Sequence, residues 1–254
     1  NANERPIAVA IPCYNEAGAI LDVLGRWRLA LPDAEIVVFD NNSSDHTAAL
    51  ARSLGVRVVP VPSQGKGFAV QAMFAELRDR RAVVLTDGDG TYPPEEVSRL
   101  LEPVLEGQAE MTVGARQPVA AVGAMSPVRR LGNLLIRSAF RLLIGRGPGD
   151  LLSGYRVFSH RFLQQVRPHS SGFEIETELT GEAVAQGLRT VEIPIPYHPR
   201  AAGTSSKLRA VRDGLRILGM ILSLAWRLRP FRLLTLSGAG FLFLALLIWS
   251  VLTL

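Results

Sequence analysis

Two aspartates one residue apart, Asp87 and Asp89, lie in the segment VVLTDGDGTYPPEE at positions 83–96. A run of β-branched and aliphatic residues stops there at a glycine-rich turn. Carboxylates in a turn, with neither cysteine nor histidine beside them, suit a hard divalent cation, Mg2+ or Mn2+. Mg2+ commonly takes one or two protein carboxylates and fills its other positions with substrate phosphate oxygens. Capping of a helix that starts at Pro93-Pro94-Glu95-Glu96 explains one acid, but it does not call for two acids and two glycines. Polar groups also close other apolar runs: Asn15-Glu16, Asp40-Asn41-Asn42-Ser43 and Gly114-Ala115-Arg116. Lys66, within Gly65-Lys66-Gly67, stands where a helix start brings a side chain to a phosphate or a base; a solvated lysine in a glycine-rich turn is the alternative. The chain has no GxxxxGK[ST] and no GxGxxG after its first apolar run, which removes support for P-loop and dinucleotide sites.

These groups need elements to position them. IAVAIPC (7–13), EIVVFD (35–40), VRVVPV (56–61), AVVLTD (82–87) and EMTVGA (110–115) read as buried strands. Helical patterns separate them at 16–31, 47–54, 67–78 and 94–105. Such alternation predicts an α/β fold, a mostly parallel Rossmann-like sheet flanked by helices. Ligands in such sheets bind at the carboxyl ends of the strands, where the polar clusters fall. Beyond Pro118 the pattern changes. Residues 126–145 (SPVRRLGNLLIRSAFRLLIG) form a basic amphipathic helix with Arg130, Arg137 and Arg141 on one face, suited to a membrane interface. Residues 208–226 form a second.

The 254 residues carry a net charge of +5, which favours an anionic partner. Aromatics make up only 7% and do not interleave with the positive charge, which argues against a nucleic-acid binder. The one cysteine, Cys13, excludes an intrachain disulfide and a cysteine-based zinc cluster. The four histidines show no metal spacing, and no N-terminal signal peptide is expected. Residues 233–254 contain no charge and would extend roughly 33 Å as a helix, against a bilayer core of about 30 Å, so a C-terminal transmembrane helix is expected. Arg227, Arg229 and Arg232 precede it and place the N-terminal part on the cytoplasmic side of the membrane. The expected organisation is a catalytic domain over 1–205, juxtamembrane amphipathic helices over 206–230 and the membrane span over 231–254.

PCYNE (12–16), DNNSSDHT (40–47), GKG (65–67), DGDGTY (87–92) and GAR (114–116) resemble, in order and spacing, family 2 glycosyltransferases of GT-A fold. DLLSGYRVFSHRF (150–162), SGFEIETEL (171–179) and PYHPRAAGTSSKLRAVRDGLRIL (196–218) look like the polyprenyl-phosphate branch of that family, which includes dolichyl-phosphate mannose synthases and undecaprenyl-phosphate glycosyltransferases. The resemblance implies an inverting, metal-dependent transfer of one sugar from a UDP- or GDP-sugar to a polyprenyl phosphate. Pro12, Tyr14, Glu16, Asp40, Asn42, Lys66, Asp87, Gly88 and Lys207 would bind the nucleotide and its sugar. Asp89 would ligate Mg2+ or Mn2+. Arg116, Arg129, Arg130, Asn133 and Arg200 would hold the acceptor phosphate. Asp87, Asp89, Arg116 and Arg200 form the expected catalytic set, and Ser205, Ser206 and Lys207 the loop that closes over the nucleotide.

Thr91 departs from the glutamine often found at that position in mannose synthases, so the sugar stays unnamed. Glu174, Glu176 and Glu178 are expected to orient the sugar or the loop arginines, with solvated helix acids as the alternative; Glu174 and Glu178 share a helix face. Asp150 and the SGYR segment (153–156) are expected to shape the sugar pocket. A processive or hydroxyl-acceptor enzyme of the same fold is one alternative, although the QxxRW of processive synthases is absent after the acidic helix motif. A non-catalytic nucleotide-sugar-binding module is another. Self-association of the chain is left open.

Overall fold

The computed structural model describes residues 6–118, 127–199 and 210–253. A seven-stranded sheet is built from β1 (Ile7–Cys13), β2 (Glu35–Asp40), β3 (Arg57–Pro60), β4 (Ala82–Leu85), β5 (Met111–Pro118), β6 (Arg156–Ser159) and β7 (Thr190–Tyr197). Its strand order is β3-β2-β1-β4-β6-β5-β7. β6 runs antiparallel to both β4 and β5, and every other pairing is parallel. The carboxyl ends of β1, β2, β4 and β5 therefore reach one edge of the sheet, and the segment that leads into β6 starts from that edge. All five strands expected from sequence are present, and β6 and β7 are additions.

Successive strand residues point to opposite faces, so each strand feeds two cores. Ala8, Ala10, Val37, Phe39, Val83 and Leu85 pack beneath α3 (Lys66–Glu76), α6 (His160–Gln165) and α7 (Ile175–Ala185). Val9, Ile11, Val38 and Val84 pack beneath α1 (Ile20–Ala30), α2 (Thr47–Ser53) and α4 (Val97–Leu105). A sheet covered on both faces by crossover helices explains the continuous apolar runs of its strands. This is the GT-A arrangement.

A third core joins α5 (Pro127–Leu143) to α8 (Ala210–Leu228) through Ile136, Phe140, Ile217, Ile221 and Leu224. Leu224 also presses on Gly181 of α7, where an added Cβ would lie 2.5 Å from its Cδ1. The amphipathic helices are thereby bound to the sheet domain. They leave Leu134, Leu135 and Leu142 of α5, and Val211, Leu215, Leu222 and Trp226 of α8, exposed. α9 (Pro230–Leu252) follows directly. Its 23 residues are long and apolar enough to cross a membrane; its most apolar stretch has mean hydropathy 2.0 and is not buried against the rest of the chain, while Leu233 at its start packs on the third core.

Candidate active site

One cleft of about 870 Å³ lies along the carboxyl edge of the sheet. Pro12, Cys13, Tyr14 and Glu16 line it after β1. Asp87, Gly88 and Asp89 line it after β4. Lys66 comes from α3, Arg116 from β5 and Glu176 from α7. The opposite wall consists of Asn133 and Ile136 from α5 and Arg212, Asp213 and Arg216 from α8.

Asp89 is buried, and its Oδ1 accepts hydrogen bonds from the Thr91 backbone N–H at 3.1 Å and the Thr91 hydroxyl at 2.6 Å. The threonine that departs from the mannose-synthase pattern thus fixes the aspartate from behind. Asp87 accepts from Lys66 Nζ at 2.6 Å, and the same ammonium lies 2.7 Å from Glu176 Oε1. Burial alone would lower the Lys66 pKa. The charges of Asp87 and Glu176 outweigh that and raise it above its ordinary 10.5, so Lys66 stays charged.

The GKG glycines make this pairing possible. Gly65 has φ +148°, and a Cβ on Gly67 would lie 1.9 Å from the Ser170 carbonyl oxygen. Gly67 N–H donates to Ser171 O at 3.0 Å, and Gln71 Nε2 donates to Ser170 O at 2.8 Å. The start of α3 is thus clamped to the 169–172 loop. From the other side, Glu178 accepts from His169 N–H and Ser170 N–H, and Glu174 accepts from Gly172 N–H at 2.9 Å. The structure separates the three acids of α7: Glu174 and Glu178 brace this loop, and Glu176 enters the cleft.

Arg116 is held by Asp150 through two side-chain bonds of 2.7 Å, with its backbone N–H adding a third at 3.1 Å. Its guanidinium lies 5.5 Å from the Tyr197 ring centroid. Burial would raise the Asp150 pKa, but the hydrogen bonds and charge of Arg116 hold the carboxyl below its ordinary 3.8. Glu192 fixes this pair from beneath, accepting from Gly149 N–H at 2.7 Å and Asp150 N–H at 2.8 Å. The Tyr92 hydroxyl accepts from Gly154 N–H at 2.9 Å, and its ring packs against Tyr155 and against Tyr197, which lines the cleft. Cys13 is fully buried there, its Sγ 2.6 Å from where a Gly88 Cβ would stand. Burial, aided by the charges of Glu16, Asp40, Asp87 and Asp89, raises its thiol pKa well above normal and keeps it protonated.

The cleft gathers Pro12, Tyr14, Glu16, Lys66, Asp87, Gly88, Asp89, Arg116 and Asn133. Asp40 and Asn42 are not among its lining residues. Asn42 has φ 60° and an exposed side chain, whereas its neighbour Asn41 lines the cleft and joins β2 to the GKG turn through Gly65 N–H at 2.6 Å and Ser63 O at 2.7 Å. The carboxylate of Asp40 keeps one buried oxygen, Oδ1, without a hydrogen bond. Arg129 and Arg130 lie in α5, but their side chains fall outside the described residues, as do Arg200, Ser205, Ser206 and Lys207 entirely. Sequence reading missed Asp213, Arg212 and Arg216 as cleft residues; their helical spacing was visible, but not which neighbour they face.

Among the described residues no cluster of three or more His, Cys, Asp or Glu could hold a metal by itself. The donors present still fit a hard cation that shares its coordination with a phosphate ligand. Two carboxylates project one residue apart from a strand end, and one of them is oriented by Thr91.

A GT-A sheet with this acidic turn at its carboxyl edge defines a sugar-transfer enzyme. Residues 8–166 match the model of glycosyl transferase family 2, and the chain belongs to that family. It is 36% identical over 208 residues to glycosyltransferase AglJ of Haloferax volcanii, covering 82% of this chain and 68% of that one. It is 34% identical over 212 residues to polyprenol monophosphomannose synthase of Mycolicibacterium smegmatis, covering 78% and 79%. Among solved structures it resembles glucosyl-3-phosphoglycerate synthase of Mycobacterium tuberculosis, crystallised with Mn2+, UDP-glucose and phosphoglyceric acid. That likeness has a TM-score of 0.69 at 23% identity, covers 88% of this chain and 80% of that one, and concerns the fold.

Proposed function

We propose that this chain transfers a single sugar from a nucleotide diphosphate sugar, a UDP- or GDP-sugar, to a polyprenyl phosphate, with inversion at the anomeric carbon. One observation carries the reading. A single cleft runs from the carboxylates at the sheet edge to α5 and α8, the helices that present apolar side chains beside arginines and lead to the membrane-spanning candidate α9. The relative named for polyprenol phosphate supports the same acceptor class.

Pro12, Tyr14 and Glu16, which line the cleft, would flank the nucleotide base, whereas Asp40 does not line it and would act only from behind them. Asp89, with Asp87 beside it, would hold Mg2+ or Mn2+. Such an ion, when bound, neutralises charge on the departing nucleoside diphosphate. Lys66 places a fixed positive charge against Asp87. A phosphate monoester is largely ionised at neutral pH and is already a nucleophile, so the protein needs to position it rather than deprotonate it. One acceptor oxygen bonds to the anomeric carbon as the carbon–oxygen bond to the diphosphate breaks, and the electron pair leaves with the nucleoside diphosphate. A single displacement of this kind inverts the centre. Arg116, aimed by Asp150, and the arginines expected at 129, 130 and 200 supply forked donors for phosphate oxygens. Lys207 would close over the nucleotide. Arg227 and Arg229 before α9 and Arg232 in its first turn favour a cytoplasmic catalytic side under the positive-inside rule. The same reading divides the chain at 205 and 230 into catalytic, juxtamembrane and spanning parts.

A transfer assay with UDP- and GDP-sugars, undecaprenyl or dolichyl phosphate and Mg2+ or Mn2+ tests this. Transfer should require the cation and fall on the order of 100-fold in Asp89→Asn, while the melting temperature holds. Equal transfer to a water-soluble alcohol would refute the lipid acceptor, and full activity in Asp89→Asn would refute the site.

A further inference from the structure

The cations on the cleft wall are not equivalent. Lys66 is committed to Asp87 and Glu176, and Arg116 to Asp150. On the facing wall, α8 contributes Arg212 and Arg216, one turn apart and both lining the cleft. The Arg212 guanidinium touches the buried Asp213 at 3.4 Å and keeps just over half of its side chain exposed. Among the described residues no carboxylate pairs with Arg216. Like charges at i and i+4 on a helix repel each other unless an anion lies between them. Beside them runs an exposed apolar row, Val211, Leu215, Leu222 and Trp226, which covers roughly 22 Å along the helix towards α9.

From this juxtaposition we infer that Arg212 and Arg216 form the acceptor-phosphate clamp, and that the isoprenoid chain leaves along the adjacent apolar row. The inference rests on the transferase reading above and sharpens it. The acceptor is a lipid phosphate bound by α8, opposite the donor carboxylates, so the attacking oxygen approaches across the cleft. Arg116, already paired with Asp150, then adds its donors from the sheet side to those of α8. Two forked guanidinium groups suit a phosphate that presents several oxygens, and the apolar row rejects a soluble phosphate ester by giving it nothing to bury. A general membrane-surface role for the two arginines is the competing explanation. It is disfavoured because both side chains line the cleft that holds Asp87 and Asp89.

The test is the full chain in detergent micelles carrying Arg212→Gln and Arg216→Gln together. The KM for undecaprenyl phosphate should rise on the order of 100-fold, with the donor KM unchanged and kcat within about threefold of wild type. An unchanged lipid KM overturns the proposal. Equilibrium binding decides independently of turnover. Wild type should prefer undecaprenyl phosphate over undecaprenol, and the double variant should lose that preference; if the preference persists in the variant, the clamp is wrong even where no transfer is detected. If wild type binds the lipid phosphate through these arginines but transfers no sugar to it, the transferase reading fails and the clamp stands. Adsorption to anionic phospholipid vesicles without polyprenyl phosphate separates the competing role. Loss of adsorption with an intact lipid-phosphate preference assigns the arginines to the membrane surface and overturns the proposal. Arg212→Lys with Arg216→Lys guards against misfolding: it keeps the charge, removes the fork, and should give an intermediate KM.

Discussion

Replacing Lys66 with methionine keeps the unbranched apolar stem and deletes the ammonium. In the wild type that ammonium lies 2.6 Å from Asp87 and 2.7 Å from Glu176, whose side chains are 26% and 4% exposed. The variant leaves one partly wet and one nearly dry carboxylate without their cation. Removing one partner of a buried pair costs about 3–5 kcal/mol. Asp87 can rehydrate, so the loss falls mainly on Glu176, and about 3 kcal/mol is expected. For a chain of this length each kcal/mol moves Tm by about 2–4 °C, so the expected drop is about 6–12 °C. Thermal unfolding followed by circular dichroism in detergent reads it. Adding Glu176→Gln should recover at least half of the loss, since the stranded charge is then gone. The Lys66 pKa is raised in the folded state, so its contribution is fully present below 10.5 and disappears only as pH rises through the higher folded value. The difference between wild type and variant should accordingly stay constant from pH 7 to pH 10. A loss below about 1 kcal/mol, or a double variant no more stable than the single one, would refute the reasoning.

Thr91→Val keeps the shape and removes the hydroxyl that orients Asp89. It should weaken activation by Mn2+ by about 10–100-fold, read as the Mn2+ concentration for half-maximal transfer; an unchanged value sinks the idea that Thr91 sets the carboxylate. Asp150→Asn removes the charge facing Arg116 and should cost about 2 kcal/mol at neutral pH, since both side chains keep some solvent contact. The depressed carboxyl stabilises the fold above its ordinary 3.8, and that contribution is lost as pH falls through its lower folded value. The gap between wild type and Asp150→Asn should therefore close on acidification below 3.8, and a gap independent of pH contradicts the pairing.

The strands that carry the site were readable because they are buried on both faces and thus continuously apolar, and because polar clusters mark their ends. β6 escaped notice: it has four residues and begins with Arg156, which is fully buried yet held by Ser153 O, Leu151 O and the Thr180 hydroxyl. That burial lowers its pKa to about 10. β7 carries Pro194 and Pro196, which a sheet tolerates only because this strand lies at the edge. Periodicity could not choose among Glu174, Glu176 and Glu178, because α7 is buried on all sides at its start and has no solvent face to break the symmetry. Nor could it separate Asn41 from Asn42, since the left-handed backbone at Asn42 is a property of the turn. The basic pattern of α8 read as membrane-facing. Its packing on α5 rotates Arg212 and Arg216 to the cleft and leaves the apolar row outward.

The position of Cys13 has a practical outcome for mapping the protein in a membrane. It is the one cysteine of the 254 residues, sealed at the cleft floor against Gly88 with its thiol kept protonated. A maleimide added to intact vesicles therefore meets a chain that is silent in its native form. Single cysteines introduced along α9 or the exposed row of α8 would report their own depth and sidedness with no background from the wild-type residue. Labelling of Cys13 itself would signal only that the sheet edge had opened, which makes the native thiol an internal indicator of unfolding.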